Sequence, residues 1–461
     1  MKKRTTNLAW IKRIKVGVSI AVSALILGNN AHASGDPEKW ELKFGFIKLT
    51  DMVPLAIAYE KGYFEDEGLY VTLEAQANWK VLFDRVVSGE LDGAHMLAAM
   101  PVGAATGVIT QSEVITPFTL SYNGAGITVS NPVWQEMKKS VPMEDGKPKH
   151  PISASTLKPV LDSYKKQGKT FNLGMTFPVG THNYHERYWL AAGGINPGFY
   201  APEKGDNSGS LSGDAILSVV PPPQMVPTME AGTTVGYCVG EPWNQQAVIK
   251  GLGVPVMTSE NLWVDGADKV FGVTKAFADK YPNTTIRAVK ALIRASAWLD
   301  ANNNANRPDA VKIISRPVYV GADEAVIANS MTGTFEFEKG DKRPIPDFNK
   351  FFRGQYGIPY YSDAVWYLTQ MRRWGQISEQ KPDSWYMDMA KKAYRPDIYV
   401  TAAKELIQEG KMKAADFPDL DKATFVKAPQ KSPLDGVEFD ASKANAFIDG
   451  FSIGLKGSQK P

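Results

Sequence analysis

An α/β chain of two similar lobes, each a mainly parallel sheet flanked by helices, is predicted by three observations. Short apolar strands alternate with helical stretches, which at this spacing means parallel β-α-β units. The alternation occurs near the start of the chain and again in its middle. In both places a glycine helix stop directly precedes a short apolar strand: Gly89-Glu90-Leu91-Asp92-Gly93-Ala94-His95 and Gly232-Thr233-Thr234-Val235-Gly236-Tyr237-Cys238.

Leu42 to Ile47 alternates as a strand, and Thr50-Asp51 precedes an apolar helix from Met52 to Lys61. Asp51 is expected to cap that helix, Pro54 fits its first turn, and Gly62 ends it. Leu69 to Leu73 reads as the next strand, Trp79 to Ser88 as a helix capped by Asn78, and Leu91 to Met96 as a third strand. The second set runs through strand Phe171–Thr176, helix Thr181–Ala192 closed by Gly193-Gly194, strand Ile216–Val220, helix Met225–Ala231 and strand Val235–Val239. Asp145 to Leu157 and Ala201 to Gly213 carry loop composition. Thr285–Leu299 and Asp363–Arg373 have amphipathic helical spacing, and the proline-broken stretch from Phe417 to Phe439 is expected to wrap one lobe without forming a third.

The first 33 residues are expected to be an export leader. Six cations precede or enter an apolar run from Val16 to Leu27, and Ala31-His32-Ala33 has the small-x-small form of a cleavage site before Ser34. The run is too short to span a bilayer, which takes about 20 residues. Taking those six from the 52 Lys and Arg leaves 46 against 49 Asp and Glu, so the mature chain is slightly acidic. A nucleic-acid partner calls for a basic excess and is not expected. A single cysteine, Cys238, permits no internal disulfide.

In an open α/β sheet, ligands sit beyond the carboxyl ends of the strands, where helix N-termini present free N–H groups. Four helix starts carry unusual residues: Thr50-Asp51, Asn78-Trp79, Thr181-His182 and Glu241-Pro242-Trp243. Facing lobes would bring Trp79, Thr181, His182, Glu241 and Trp243 to one cleft, with His95 at a strand end beside them. The alternative is that the caps only end helices and the aromatics fill the core. His182 and His185 have a spacing two metal ligands could use, but no third ligand is apparent and no metal or other cofactor is expected. Gly236-Tyr237-Cys238-Val239-Gly240 has the outline of a nucleophile elbow with Cys for Ser, and a buried strand cysteine is the plainer reading. No dinucleotide fingerprint, phosphate loop or zinc-protease helix is present.

Six ordered blocks resemble the nitrate/bicarbonate solute-binding family of ABC importers. They are Phe46 to Asp51, Gln76 to Trp79, Asp92 to Met96, Arg187 to Ile195, Val219 to Met225 and Cys238 to Asn244, and the likeness continues through Trp366 to Gly375 and Tyr394 to Asp397. The resemblance implies a type II periplasmic-binding-protein fold with a helical C-terminal extension wrapping lobe one. Lobe one would comprise 34–124 and 270–461, and lobe two 125–269. It also implies a monomeric periplasmic carrier, not an enzyme, that delivers a small solute to an inner-membrane permease. In nitrate-binding relatives a tryptophan, a glutamine, a histidine and a lysine meet the anion, and Trp79 and His182 match the first and third. Ala125 stands where the glutamine follows an Asn-Gly pair. Lys269 is retained before the strand at Val270, but Val264 and Asp265 follow Leu262-Trp263 where relatives often carry a cation. Pro222 and Gln224, inside a matching block, join the implied site. Losing one donor to a buried anion costs about 1 to 3 kcal/mol. These departures disfavour nitrate and leave bicarbonate, nitrite, cyanate or another small polar solute that could use Glu241. The rival functions are a ligand sensor for a regulator, against which the leader argues, and an enzyme on the same fold related to the pyrimidine-precursor synthases of thiamin synthesis.

Overall fold

The computed structural model describes residues 35–353 and 355–460. The expected leader and its cleavage site lie outside the described residues. The strands of the two main sheets are β1 (Glu41–Phe46), β2 (Tyr70–Ala75), β3 (Gly93–Leu97), β4 (Val114–Asn123), β5 (Ala125–Ser130), β6 (Asn172–Met175), β7 (Ile216–Val219), β8 (Gly236–Gly240), β9 (Gly253–Thr258), β10 (Ala267–Thr274) and β11 (Asn349–Lys350). The helices are α1 (Val53–Glu60), α2 (Trp79–Val87), α3 (Thr181–Ala192), α4 (Trp243–Ile249), α5 (Pro282–Asn304) and α6 (Tyr361–Arg373).

A six-stranded sheet has the order β11-β4-β10-β3-β1-β2, and a five-stranded sheet the order β7-β6-β8-β5-β9. Both are mixed rather than mainly parallel. β1 pairs parallel with β2 and β3, and β6 pairs parallel with β7 and β8, as the β-α-β reading expects. The strands β4, β5, β9 and β10 pair antiparallel. They are the ones through which the chain passes between sheets, and a chain that crosses as extended strand enters the second sheet without the helix a parallel return needs.

The outward crossing occupies Asn123 and Gly124, both with positive φ, between β4 and β5. Gly124 has no alternative there, since a Cβ would lie 2.2 Å from Asn349 Oδ1. The return falls between Thr258 and Ala267, so Asp268 and Lys269 belong to the strand β10 of the six-stranded sheet. Asn123 N–H donates to Gly266 O at 3.0 Å, tying the crossings side by side.

Local signals worked where they were short-range. Asn78 caps α2, its Oδ1 accepting from Val81 N–H at 2.9 Å. Asp51 caps nothing: α1 has no side-chain cap, and the carboxylate turns inward instead. The C-terminal segment does not confine itself to the six-stranded sheet. Trp366 on α6 stacks on Trp263 with centroids 4.4 Å apart, while α3, which belongs to the other sheet, sends Tyr188 against Phe451 and its hydroxyl to Asp435 at 3.0 Å. Among the described residues no helix is long and apolar enough to cross a membrane.

Candidate solute site at the seam between the sheets

The carboxyl ends of β1 and β3 from one sheet meet those of β6 and β8 from the other. Three direct bonds stitch this seam: Thr50 N–H to Glu241 O at 2.7 Å, Trp243 Nε1–H to Lys48 O at 3.0 Å, and Thr181 Oγ1–H to Asp268 O at 3.3 Å. The seam is closed, and Trp79, His95, His182, Glu241 and Lys269 are all fully buried.

Asp51 is its electrostatic centre. One carboxylate oxygen lies 2.8 Å from His95 Nε2 and the other 2.8 Å from Lys269 Nζ, which also pairs with Asp268. Burial would push Asp51 up, but Lys269 and His95 outweigh it and hold it below the usual carboxylate range. Lys269 stays charged for the matching reason: burial opposes the ammonium, and Asp268 and Asp51 more than restore it. Asp268, more weakly compensated, is pushed by burial to about 6. Burial lowers His95, so it is neutral at pH 7, with Nε2–H facing Asp51 and Nδ1 accepting from Ile47 N–H at 3.3 Å. Both of its nitrogens are used, so it orients Asp51. Its ring packs against Trp79 at 5.3 Å.

From the other sheet, His182 stands at the start of α3 with Nδ1 2.9 Å from Thr176 Oγ1. Burial, then the nearby Lys269, holds it neutral, and its Nε2 has no partner. Gly240 leaves the space between them: a Cβ there would lie 3.1 Å from Asp51 Oδ2 and 3.7 Å from His182 Nε2. Thr50 Oγ1 and Trp79 Nε1 are likewise buried and unpartnered. Such groups are costly unless something satisfies them, so their clustering at one seam marks a place for a polar guest.

Several expected site residues are placed differently. Ala125 is buried beside Gly240 in the β5–β8 ladder and offers the seam no side-chain donor. Pro222 is buried in the turn after β7, whereas Gln224 is exposed to solvent, so it does not belong to a closed site. Glu241 directly follows β8 and is fully buried. Its Oε2 accepts from Gln245 N–H at 3.2 Å at the start of α4, and burial pushes its carboxyl up to about 8. One carboxyl oxygen thus serves α4, Oε1 is buried without a partner, and the backbone carbonyl serves the seam. Trp243 spends its indole N–H on Lys48 and is a clasp. Cys238 lies inside β8 and not at a strand-to-helix turn, and burial, Glu186 and Asp268 push its thiol up, which is the reverse of an activated nucleophile. Among the described residues, no three His, Cys, Asp or Glu are grouped to hold a metal.

The sequence reading missed Asp51 as a buried anion, Asp268, and Glu186. The last shares a stripe of α3 with His182 and His185 at positions i, i+3 and i+4, a spacing visible in the sequence. An open groove of about 1060 Å³ between Trp40, Tyr70 and Arg85 is separate, and none of these residues lines it.

The nitrate/nitrite binding protein NrtA of Synechococcus elongatus is 33% identical to this chain, covering 91% of it and 88% of the relative. The bicarbonate-binding protein CmpA of the same organism is 25% identical, covering 92% and 89%. The crystal structure of the periplasmic nitrate-binding protein NrtA from Synechocystis superposes with a TM-score of 0.77 at 28% identity, covering 91% of this chain and all of that one. The two sheets are thus those of the two-lobed periplasmic-binding-protein fold. With a family profile matching residues 35–315 as well, the chain belongs to the NMT1-like family.

Proposed function

We propose that this chain is the periplasmic solute-binding component of an ABC importer, a monomer that holds a small polar solute at the seam and hands it to an inner-membrane permease. The observation that carries this reading is the set of buried, unpartnered polar atoms that both sheets contribute to one closed place: Thr50 Oγ1 and Trp79 Nε1 from one side, His182 Nε2 from the other. The relatives' ligands, nitrate, nitrite and bicarbonate, set the expected size. The chain up to Gly124 and from Ala267 onward acts as one lobe, three residues earlier than the expected start at 270, and 125–266 as the other, with Asn123-Gly124 and the return near Gly266 as hinges. A solute that touches both lobes favours the closed form, which the permease reads. No covalent step is needed, and the neutral thiol of Cys238 and neutral His182 fit a binding role.

The test is a thermal-shift and calorimetric screen of the mature protein against nitrate, nitrite, bicarbonate, cyanate and small neutral amides. A true ligand at 100 times its Kd stabilises by about 2.7 kcal/mol. His182→Ala removes one buried hydrogen bond and is expected to weaken that ligand roughly tenfold or more. Gly240→Ala fills the space itself and is expected to weaken it at least as much. A screen in which no small solute raises the melting temperature would end the carrier reading.

A further inference from the structure

Beside each main sheet stands a small hairpin, and the two hairpins meet. Met143–Glu144 pairs antiparallel with Lys147–Pro148 in the 125–266 lobe, and Thr334–Glu336 pairs antiparallel with Lys342–Pro344 in the other. The second hairpin has an aromatic core of its own: Phe335, Phe337 and Phe348 are buried against one another, apart from the two larger clusters of the molecule. It is rooted where Asn349 of β11 pairs with Asn123 of β4. From there it reaches across to the 125–266 lobe. Glu338 Oε2 lies 2.8 Å from Lys138 Nζ, and Asp341 Oδ1 lies 3.0 Å from Lys147 Nζ, so acids on one lobe face cations on the other. Arg343 Nη2–H donates to Pro148 O at 2.8 Å, and the ring of Phe337 lies against that of His150 with centroids 3.8 Å apart. Gln245 adds a buried tie, its Nε2–H donating to Glu336 O at 3.0 Å and its Oε1 accepting from Asn329 Nδ2–H at 2.6 Å. The backbone N–H of the same Gln245 holds Glu241 Oε2, and Glu241 O is the acceptor of Thr50 N–H across the seam.

We propose that the hairpin Thr334–Pro344 is an interlobe clasp, which holds the closed form through contacts made away from the buried atoms that would meet the solute. The inference rests on the lobes parting about Asn123-Gly124 and Gly266, and it is independent of which solute they hold. A hairpin with its own core keeps its shape when the cross-lobe bonds break, so those bonds can open and close as a set. An exposed ion pair shifts such an equilibrium by up to about fivefold, and a buried hydrogen bond by a similar factor or more. The clasp thereby raises the closed fraction before any solute arrives, and the apparent affinity for the solute rises in proportion. Residues that never touch the solute thus set how tightly it is held.

The test is hydrogen exchange of the ligand-free mature protein at low salt, read by mass spectrometry. The Thr50 amide, bonded across the seam at 2.7 Å, reports opening, while amides of β3 and β10, bonded within one sheet, report global unfolding. Lys138→Glu combined with Lys147→Glu reverses both ion pairs at partly exposed positions and is expected to speed exchange at Thr50 about fivefold or more, with β3 and β10 unchanged to within about twofold. Adding Glu338→Lys restores opposite charges at one pair and is expected to recover about half of that change on a logarithmic scale. Should the reversed protein fold poorly, Glu338→Gln, which deletes one pair, is read instead and is expected to speed exchange at Thr50 about twofold. Unchanged exchange at Thr50, a rise shared equally by β3 and β10, or a rise that Glu338→Lys does not reduce each overturns the clasp and leaves the carrier reading to its own solute screen. If Thr50 exchanges only through global unfolding in every variant, the lobes do not part, and the hinged carrier reading falls with the clasp.

Discussion

Lys269→Met is expected to lower unfolding free energy by about 3 to 5 kcal/mol, a large part of the 5 to 15 kcal/mol typical of a folded domain. The ammonium is fully buried between Asp51 and Asp268, so its removal strands two carboxylates with His95 as their remaining polar neighbour. The cost is that of uncompensated buried charge, and it exceeds what the pair contributes relative to a hydrocarbon of the same shape. Two further measurements distinguish this cause from lost packing. Asp51→Asn in the Lys269→Met background should recover part of the loss, because it deletes one stranded charge, giving a double variant well short of the sum of the singles. Lowering the pH from 7 to 5 should also narrow the gap between variant and wild type, since the freed carboxylates then take up protons. Guanidinium chloride denaturation gives all three quantities. A loss under about 1 kcal/mol would mean the Asp51–Lys269 pair is solvated in the free protein.

That network was the part of the site least legible in the sequence. Thr50-Asp51 ahead of an apolar run has the same local pattern as a helix cap, and only the approach of His95 and Lys269, both distant along the chain, turns the carboxylate inward. Asn78 shows the contrast: its pattern was equally local, and no distant partner competed for it. The parallel strands could be read because each is followed by its own helix. β4 and β5 could not, because they run from one sheet into the other through two left-handed residues with no helix to punctuate them. Trp79 and His182 were singled out as helix starts, where free polar groups concentrate, and the structure buries both with an unpartnered nitrogen. Glu241 was assigned to the solute by the same rule, and the structure engages one of its oxygens at the start of α4 and leaves the other buried without a partner. Glu186 completes the stripe of His182 and His185, but the i, i+3 spacing of the two histidines reads first as a metal pair and gives the carboxyl between helix turns no signal of its own.

Stability of the ligand-free protein is expected to peak near pH 6.5, for reasons visible in the same buried groups. Burial depresses His95 and His182, takes His185 to about 3 and His150 to about 4, so below their unfolded value near 6.5 the unfolded chain binds protons the folded chain refuses. That term lowers stability as pH falls. Raised carboxyls act with the opposite sign. Glu241 at about 8 and Glu186, which burial raises well above the usual carboxyl range, keep protons in the fold that the unfolded chain loses above roughly 4.3, and Asp268 does so up to about 6. Between about pH 4.5 and 6.5 the histidines and carboxyls nearly offset each other, giving a shallow slope. Below that window the unfolded carboxylates protonate too, the histidines and the depressed carboxylate of Asp51 then act in the same direction, and stability drops steeply. Above pH 6.5 the histidines are neutral in both states and the carboxyl term remains, so stability declines toward pH 8, with Glu241 alone contributing about 2 kcal/mol of the fall. Guanidinium chloride midpoints measured from pH 4 to 9 test the shape, and Glu241→Gln should flatten the alkaline limb by one proton's worth of slope. A midpoint that climbs steadily from pH 6.5 to 8 would mean that Glu241 and Glu186 are ionised in the folded chain.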